Sequence, residues 1–191
     1  MNLRHLGALL GGLLTLGFAT PALADREACP TPYVKANERG SIYFKMSPDP
    51  AAPCDRTKGS GAAYQVAVGA DQLLWKTEGS WYAQTTFLSE DGRYLIRIGN
   101  WPRGRKPSKD HLAIAFYDNG KLLKRYSTLE LIKDPSQVET SVSHYAFYHD
   151  PPGFTAPHAK TFLLTTIDGI AYTFNITTGE IASTKKQSAT P

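Results

Sequence analysis

The clearest indication of the fold lies between Thr85 and Asn100, where the sequence reads TTFLSEDGRYLIRIGN. Asp91-Gly92 separates two runs of strand-forming residues, and glycine accepts the positive φ that a hairpin turn requires. The second run alternates between the two sides of a strand, with Tyr94, Ile96 and Ile98 on one side and Arg93, Leu95 and Arg97 on the other. The stretch therefore predicts an antiparallel hairpin with one buried face and one partly solvated face.

Four more turn signals divide the rest of the chain in the same way. They occur at Gly69–Asp71, Asp118–Gly120, Asp168–Gly169 and Thr178–Gly179. Short alternating runs between turns are typical of antiparallel strands rather than of helices. The sequence predicts an all-β protein, a meander of hairpins with roughly nine to eleven strands between Ser41 and Ser183.

One short helix is expected within this meander. Ser127 and Glu130 have the spacing of a capping box, and Pro135 ends the apolar run that follows. The helix is predicted to connect strands and to cover one end of a sheet.

The closing stretch Tyr172–Ile181, YTFNITTGEI, and the hairpins that turn at Asp-Gly or Asn-Gly resemble blade hairpins of β-propeller proteins. However, Gly92, Gly120 and Gly169 recur at unequal intervals, whereas blade repeats have a nearly fixed period and a closed ring typically has four or more blades. A sandwich, a barrel or an open sheet resembling two or three blades fits the chain better. The resemblance covers separate pieces, and no functional residues are carried over from it.

The N-terminal segment has the three parts of a secretory signal peptide. A basic start at Arg4 precedes the apolar run Leu6–Ala19, which is too short to span a bilayer, and Ala22–Ala24 provides an Ala-x-Ala cleavage site. We expect residues 1–24 to be removed before Asp25. The mature protein is then predicted to be periplasmic or secreted, without a membrane anchor.

The two cysteines, Cys29 and Cys54, are predicted to form a disulfide, because an even number of cysteines in an exported protein usually indicates one. In the chain-entropy model the bridge contributes roughly 3 to 4 kcal/mol. A redox role is disfavoured because the chain contains no Cys-x-x-Cys. We expect a single β-rich domain over 25–184, with its N-terminal segment closed by this bridge, and a disordered tail over 185–191.

The charge of the chain is only mildly basic. The formal net charge is +4 at pH 7, and removal of Arg4 with the signal peptide lowers it by one unit. Nucleic-acid binding requires several clustered phosphate contacts, so no nucleic-acid partner is predicted.

No arrangement of residues gives a catalytic or metal-binding signature. If the run that contains them is a strand, His144 and His149 lie on opposite faces and cannot hold one ion, whereas a bend in the run could bring them together. The chain also lacks the Gly-x-Ser-x-Gly elbow that presents a serine nucleophile. The sequence predicts no metal, no cofactor and no catalytic residue. The alternative is an envelope hydrolase with an unfamiliar site that uses His144, His149 or Asp150.

The most suggestive stretch is the basic loop, residues 100–111, which reads NWPRGRKPSKDH. Its candidate binding residues are one aromatic and four cations: Trp101, Arg103, Arg105, Lys106 and Lys109. Cations beside an aromatic ring can steer and receive an anionic partner. We interpret the protein as a binding module of the cell envelope, whose partner is an envelope protein or an anionic polymer. Exposed strand edges that pair with a partner are a further, purely structural, alternative.

A second aromatic group could also bind a ligand. Trp75, Trp81, Tyr82 and Trp101 lie within the first half of the strand region. They are expected either to form a platform for stacking carbohydrate or to belong to the core.

Overall fold

The computed structural model of the protein describes residues 28–149 and 151–187. The predicted signal peptide, residues 1–24, lies outside these residues. The described chain forms three four-stranded antiparallel sheets and one short α-helix, so the all-β prediction is confirmed. None of its helices is long and apolar enough to span a bilayer.

Sheet 1 has its four strands in chain order. They are β1 (Tyr33–Ala36), β2 (Ile42–Pro48), β3 (Gly59–Gln65) and β4 (Gln72–Lys76). Strand β1 precedes the predicted start of the meander at Ser41, since a four-residue strand close to Pro30 and Pro32 carries little alternation. It forms by pairing with β2, for example Val34 with Lys45.

Sheet 2 contains the hairpin predicted from Asp91-Gly92. Its strands, also in chain order, are β5 (Thr86–Leu88), β6 (Tyr94–Ile98), β7 (Leu112–Asp118) and β8 (Lys121–Ser127). The predicted turn between β7 and β8 is confirmed. Asn119 and Gly120 have φ values of 46° and 81°, the left-handed backbone that this kind of hairpin turn requires.

Sheet 3 is built around the β10–β11 hairpin, which turns at Asp168-Gly169. Its strands are β9 (Gly153–Phe154), β10 (Thr161–Thr165), β11 (Ile170–Asn175) and β12 (Ile181–Lys186), in the order β12-β11-β10-β9. The predicted tail begins two residues too early, because Lys185 and Lys186 belong to β12 and pair with β11. Backbone pairing at a solvent-exposed edge needs no apolar side chains, so the polar sequence of this strand does not distinguish it from a tail.

Sheet 2 packs between the other two sheets. One core cluster joins sheets 1 and 2 and includes Phe44, Met46 and Leu95. The other joins sheets 2 and 3 and includes Ile96, Phe116, Phe162 and Phe174. The architecture is thus the open, blade-like alternative. The expectation that the Leu95 side of β6 is partly solvated is wrong for Leu95, which has no exposed surface because sheet 1 covers it.

The predicted helix is α1, Thr128–Leu131. Ser127 and Glu130 form the expected capping box, with each side chain accepting from the other residue's backbone N–H. Pro135 begins a short 3₁₀ turn, Pro135–Gln137, which leads from sheet 2 towards sheet 3.

Candidate functional site

A cavity of about 550 Å³ lies between the disulfide-closed segment of sheet 1 and the start of the basic loop. This volume is in the range of known small-ligand sites, about 300–1,000 Å³. We term it the arginine groove and define it by six of its lining residues: Arg56, Arg97, Trp101, Arg103, Asp110 and His111.

The disulfide forms one wall of the arginine groove. Cys29 and Cys54 are bonded as predicted, with their Cα atoms 4.5 Å apart. Cys54 lines the groove, and Arg56 follows two residues later. The Arg56 Nε donates to the carbonyl oxygen of Ala28, 3.2 Å away, next to the bridge. The bridge therefore holds Arg56 close to the groove.

Arg97 comes from the β6 strand at the base of the groove. Its guanidinium carbon lies 4.5 Å from the ring centroid of Trp81, and its Nη2 donates to the carbonyl oxygen of Tyr82 at 3.3 Å. Its Nε is buried and has no hydrogen-bond partner among the described residues. The residue as a whole is half-buried and lines the groove, so an anionic ligand there can contact the accessible part of its side chain.

The exit of the basic loop from β6 is fixed by Asn100. Its side-chain oxygen accepts from the backbone N–H of Gln84 at 2.8 Å, and its side-chain nitrogen donates to the Tyr82 carbonyl oxygen at 3.0 Å. These bonds hold the beginning of the loop beside Arg97.

Trp101 packs against the segment that follows the 3₁₀ turn. Its ring centroid lies 3.9 Å from that of His144, at an interplanar angle of 37°, and its Nε1 donates to the Ser143 hydroxyl at 3.3 Å. Arg103 and His144 also form an antiparallel bridge through their backbones. Trp101 and Arg103 are thus both held by the segment around His144.

His144 also contacts Ser141, and this arrangement bears on the hydrolase alternative. The Ser141 hydroxyl lies 2.7 Å from His144 Nδ1, and it accepts from the backbone N–H groups of Ser143 and His144 at 3.3 and 3.2 Å. Such bonds are typical of a serine that closes a local turn. His149 is exposed, and Asp150 lies outside the described residues.

The run that contains His144 and His149 is not a continuous strand. Isolated bridges tie Thr140 to Tyr145 and Tyr148 to Thr166, without a continuous ladder. Within residues 28–149 and 151–187, no group of three or more His, Cys, Asp or Glu side chains is arranged to hold a metal ion.

A hydrogen-bonded chain runs from the groove into the core. His111 Nδ1 lies 2.9 Å from the Tyr145 hydroxyl, which in turn lies 2.7 Å from the Thr128 hydroxyl. Burial raises the pKa of Tyr145, and its hydrogen bond with Thr128 partly opposes this effect. Tyr145 therefore stays neutral and fixes the orientation of the His111 ring.

The structure separates the five predicted binding residues of the basic loop. Trp101 and Arg103 line the arginine groove. Lys109 lines a second cavity of about 550 Å³, which we term the outer cavity. Arg105 and Lys106 are exposed and line neither of these two cavities.

The outer cavity lies where β7, β8 and α1 meet. We define it by six of its lining residues: Lys109, Asp110, Leu112, Arg125, Tyr126 and Glu130. Arg125 is exposed on β8. Asp110 and Leu112 belong to the walls of both cavities.

Sequence reasoning missed Arg56 and Arg97 as site residues. Arg97 lies on the side of β6 opposite Ile96 as predicted, but the disulfide-closed segment that forms the facing wall of the groove is distant from it in sequence. For Arg56, the only available signal was its position two residues after a predicted disulfide cysteine.

The predicted aromatic platform is not formed. Trp75, Trp81 and Tyr82 are buried, with 8%, 7% and 4% of their surface exposed, and they belong to the core between sheets 1 and 2. The Trp75 Nε1 donates to the carbonyl oxygen of Gly92, so this residue joins the two sheets. Trp101 is the member of the group that lines a cavity.

No family model matches the chain, and no curated protein matches it. Solved structures to which it is similar include BamB from Moraxella catarrhalis, with 17% identity, 80% of this chain covered and a TM-score of 0.40. Another is the periplasmic gluconolactonase PpgL from Pseudomonas aeruginosa, with 14% identity, 75% coverage and a TM-score of 0.41. A third is the Cps50 (Swd1) β-propeller domain from Myceliophteria thermophila, with 14% identity, 87% coverage and a TM-score of 0.35.

The chain spans 35%, 39% and 58% of the lengths of these three structures, respectively. The likeness concerns the arrangement of antiparallel sheets, and we draw no conclusion about ligands or partners from it.

Proposed function

We propose that this protein is an extracytoplasmic binding module whose arginine groove holds an anionic group of an envelope partner. The observation that carries the proposal is the convergence of three arginines from separate segments on one cavity. Arg56 comes from the disulfide-closed segment, Arg97 from β6 and Arg103 from the basic loop. Guanidinium groups recognise carboxylate and phosphate oxygens through several donors in a fixed geometry.

The groove also contains carboxylates, which restrict the kind of anion it can receive. Asp55 and Asp110 line it together with the arginines. Hydrogen bonds from the Thr57 side chain and backbone are the largest effects on Asp55 and keep its pKa low, so this group is ionised at neutral pH. A ligand with isolated negative charges fits this mixture better than a densely charged one.

Export supports the same function. The Cys29–Cys54 disulfide is typical of proteins that fold outside the cytoplasm. Together with the predicted signal peptide, it favours the periplasm as the compartment and release from the cell as the alternative. Partners in either place include the anionic polymers and proteins of the envelope.

Binding explains the described geometry better than hydrolysis does. The Ser141 hydroxyl, the one nearest to His144 Nδ1, already accepts two backbone hydrogen bonds in its turn. A serine nucleophile instead needs its oxygen free to attack a substrate.

The test is a titration of the mature protein with glucuronate, a small carboxylate probe, followed by NMR at millimolar concentration. The variant Arg97→Gln/Arg103→Gln loses two charges in the groove, and the matched control Arg105→Gln/Lys106→Gln loses two charges outside it. We expect the groove variant to bind at least about tenfold more weakly, because charged hydrogen bonds contribute about 1.5–3 kcal/mol each. The control should bind like the wild type.

Circular dichroism and thermal unfolding establish that both variants are folded. Equal losses in the two variants would show that only net charge matters, and this would contradict a specific groove. Failure of the folded wild type to bind glucuronate, glucose 6-phosphate and citrate would contradict the proposal as a whole.

A further inference from the structure

We infer that the arginine groove and the outer cavity are consecutive subsites for one acidic polysaccharide, whose negative charges are spaced along the chain. This inference rests on the proposed function of the arginine groove and adds the class and the length of the ligand. It follows from how sheet 2 places the two cavities.

The two cavities share part of their walls. Asp110 and Leu112, at the start of β7, line both of them. Leu112 packs against the core cluster between sheets 1 and 2, so the shared wall lies on the side of sheet 2 that faces sheet 1. A ligand longer than one cavity can therefore pass from the first to the second along this wall.

Cross-strand pairing fixes the spacing between one arginine of each cavity, beneath the core that buries Ala115, while the ligand itself would follow the shared wall. Arg97 on β6 pairs with Ala115 on β7, and Ala115 pairs with Arg125 on β8. Directly opposed residues point to the same face, so Arg97 and Arg125 lie on one face with a small residue between them. Adjacent strands are about 4.8 Å apart, which places the two arginine backbones about 10 Å from each other.

The carboxylate of Asp110 in the shared wall favours a polysaccharide with spaced charges over an acidic polypeptide or a polyphosphate. Adjacent acidic residues in an extended peptide recur about every 3.3 Å, which would place several charges between the two arginines. Asp110 stands in the wall shared by both cavities and would repel such a continuous run. A polysaccharide with an acidic group on alternate sugars presents neutral rings between its charges instead.

The side chains that line the two cavities suit sugar rings. Trp101 packs on His144 and also lines the arginine groove. An aromatic ring offers an apolar surface with a polar edge, against which a sugar can pack. Lys109 and Arg125 then supply the second cationic position, in the outer cavity.

The probes are hyaluronan oligosaccharides, which carry a carboxylate on alternate sugars. We compare the binding of the disaccharide and the octasaccharide to the wild-type protein by calorimetry or NMR titration. The octasaccharide should bind at least about tenfold more tightly, because its second charge binds intramolecularly once the first is held. Poly-glutamate of matched length should bind more weakly than the octasaccharide.

The variant Lys109→Ser/Arg125→Ser tests the second subsite. Both side chains are exposed, so their removal should not unfold the protein. This variant should lose the gain from length, so that it binds the octasaccharide no more tightly than the disaccharide. The matched control Arg105→Ser/Lys106→Ser should keep the gain from length.

Three results would overturn the inference: equal affinity for the two oligosaccharides, poly-glutamate binding as tightly as the octasaccharide, or no binding of either oligosaccharide by the folded protein. The proposed function fails separately. It fails if Arg97→Gln/Arg103→Gln leaves the binding of glucuronate unchanged, whatever the effect of ligand length.

Discussion

Lys160 Nζ lies 2.5 Å from Oδ2 of Asp91, and this ion pair joins sheet 3 to the hairpin turn of sheet 2. Asp91 also accepts from the Ser89 hydroxyl at 2.5 Å and from the backbone N–H of Arg93 at 3.1 Å. The carboxylate thus fulfils its predicted role in the turn and holds a neighbouring sheet as well.

The Asp91–Lys160 pair predicts a pH dependence of stability. Burial raises the pKa of Asp91, but its bonds with Lys160, Ser89 and Arg93 outweigh burial and bring the pKa below its ordinary value. A carboxylate with a lowered folded-state pKa stabilises the fold fully above its unfolded pKa, about 3.9, and loses this contribution as the pH falls through the folded value. As the pH falls from neutral to below about 4, the free energy of unfolding should therefore decrease less in Asp91→Asn than in the wild type.

The difference should stay under about 1 kcal/mol, because both side chains of the pair are about half exposed. Urea unfolding at neutral and acid pH measures it. Identical acid destabilisation of the wild type and Asp91→Asn would show that the pair contributes nothing.

Removal of the disulfide should weaken both the fold and the groove. In Cys29→Ser/Cys54→Ser we expect the free energy of unfolding to fall by roughly 3 kcal/mol, because the unfolded chain gains entropy. Binding of glucuronate should also weaken, since the bridge holds the segment that carries Arg56. Calorimetric unfolding and titration measure the two effects. Unchanged affinity in a variant that is still folded would show that Arg56 does not need the bridge.

Gly120 reports on the contact between sheets 1 and 2. It has a positive φ, and a Cβ there would overlap the backbone carbonyl oxygen of Lys76 in sheet 1. Gly69 also has a positive φ, but a Cβ there would meet nothing within 4 Å. Gly69→Ala should lower the free energy of unfolding by about 1–2 kcal/mol, which is the strain of the left-handed conformation alone. Gly120→Ala should cost clearly more, as judged by denaturant unfolding, and equal costs would contradict the sheet packing.

His144→Ala separates the binding account from the hydrolase alternative. Loss of the imidazole removes the ring that packs on Trp101. An aromatic pair of this kind contributes about 0.5–1.5 kcal/mol. We expect a change in tryptophan fluorescence and an affinity for glucuronate lower by a few fold. A hydrolase account predicts instead an activity on ester or glycoside substrates that is present in the wild type and absent in the folded variant.

The hairpins were predictable because turn chemistry is local. Asp91-Gly92, Asn119-Gly120 and Asp168-Gly169 each join the strands that the sequence predicts. The capping box of Ser127 and Glu130 was predictable for the same reason. Strand β1 was missed because four residues with mostly exposed side chains give no periodic signal.

The site was only partly predictable, since it depends on which sheet covers which face. Trp101 and Arg103 share a short loop and were found, whereas Arg97 reaches the groove through sheet packing. Arg105 and Lys106 have the composition of a binding loop but are exposed and line neither of the two cavities described above. Charge composition therefore does not separate the residues that line a cavity from those that do not.

The most direct test of the arginine groove is NMR of the arginine Nε–Hε groups in the unaltered mature protein during titration with glucuronate. The account predicts that the Arg97 and Arg103 signals shift together and saturate with one dissociation constant, while the Arg105 signal stays in place. Both signals should shift because both residues line the groove. Shifts confined to Arg105, or equal shifts of all exposed arginines, would contradict the groove as the binding site.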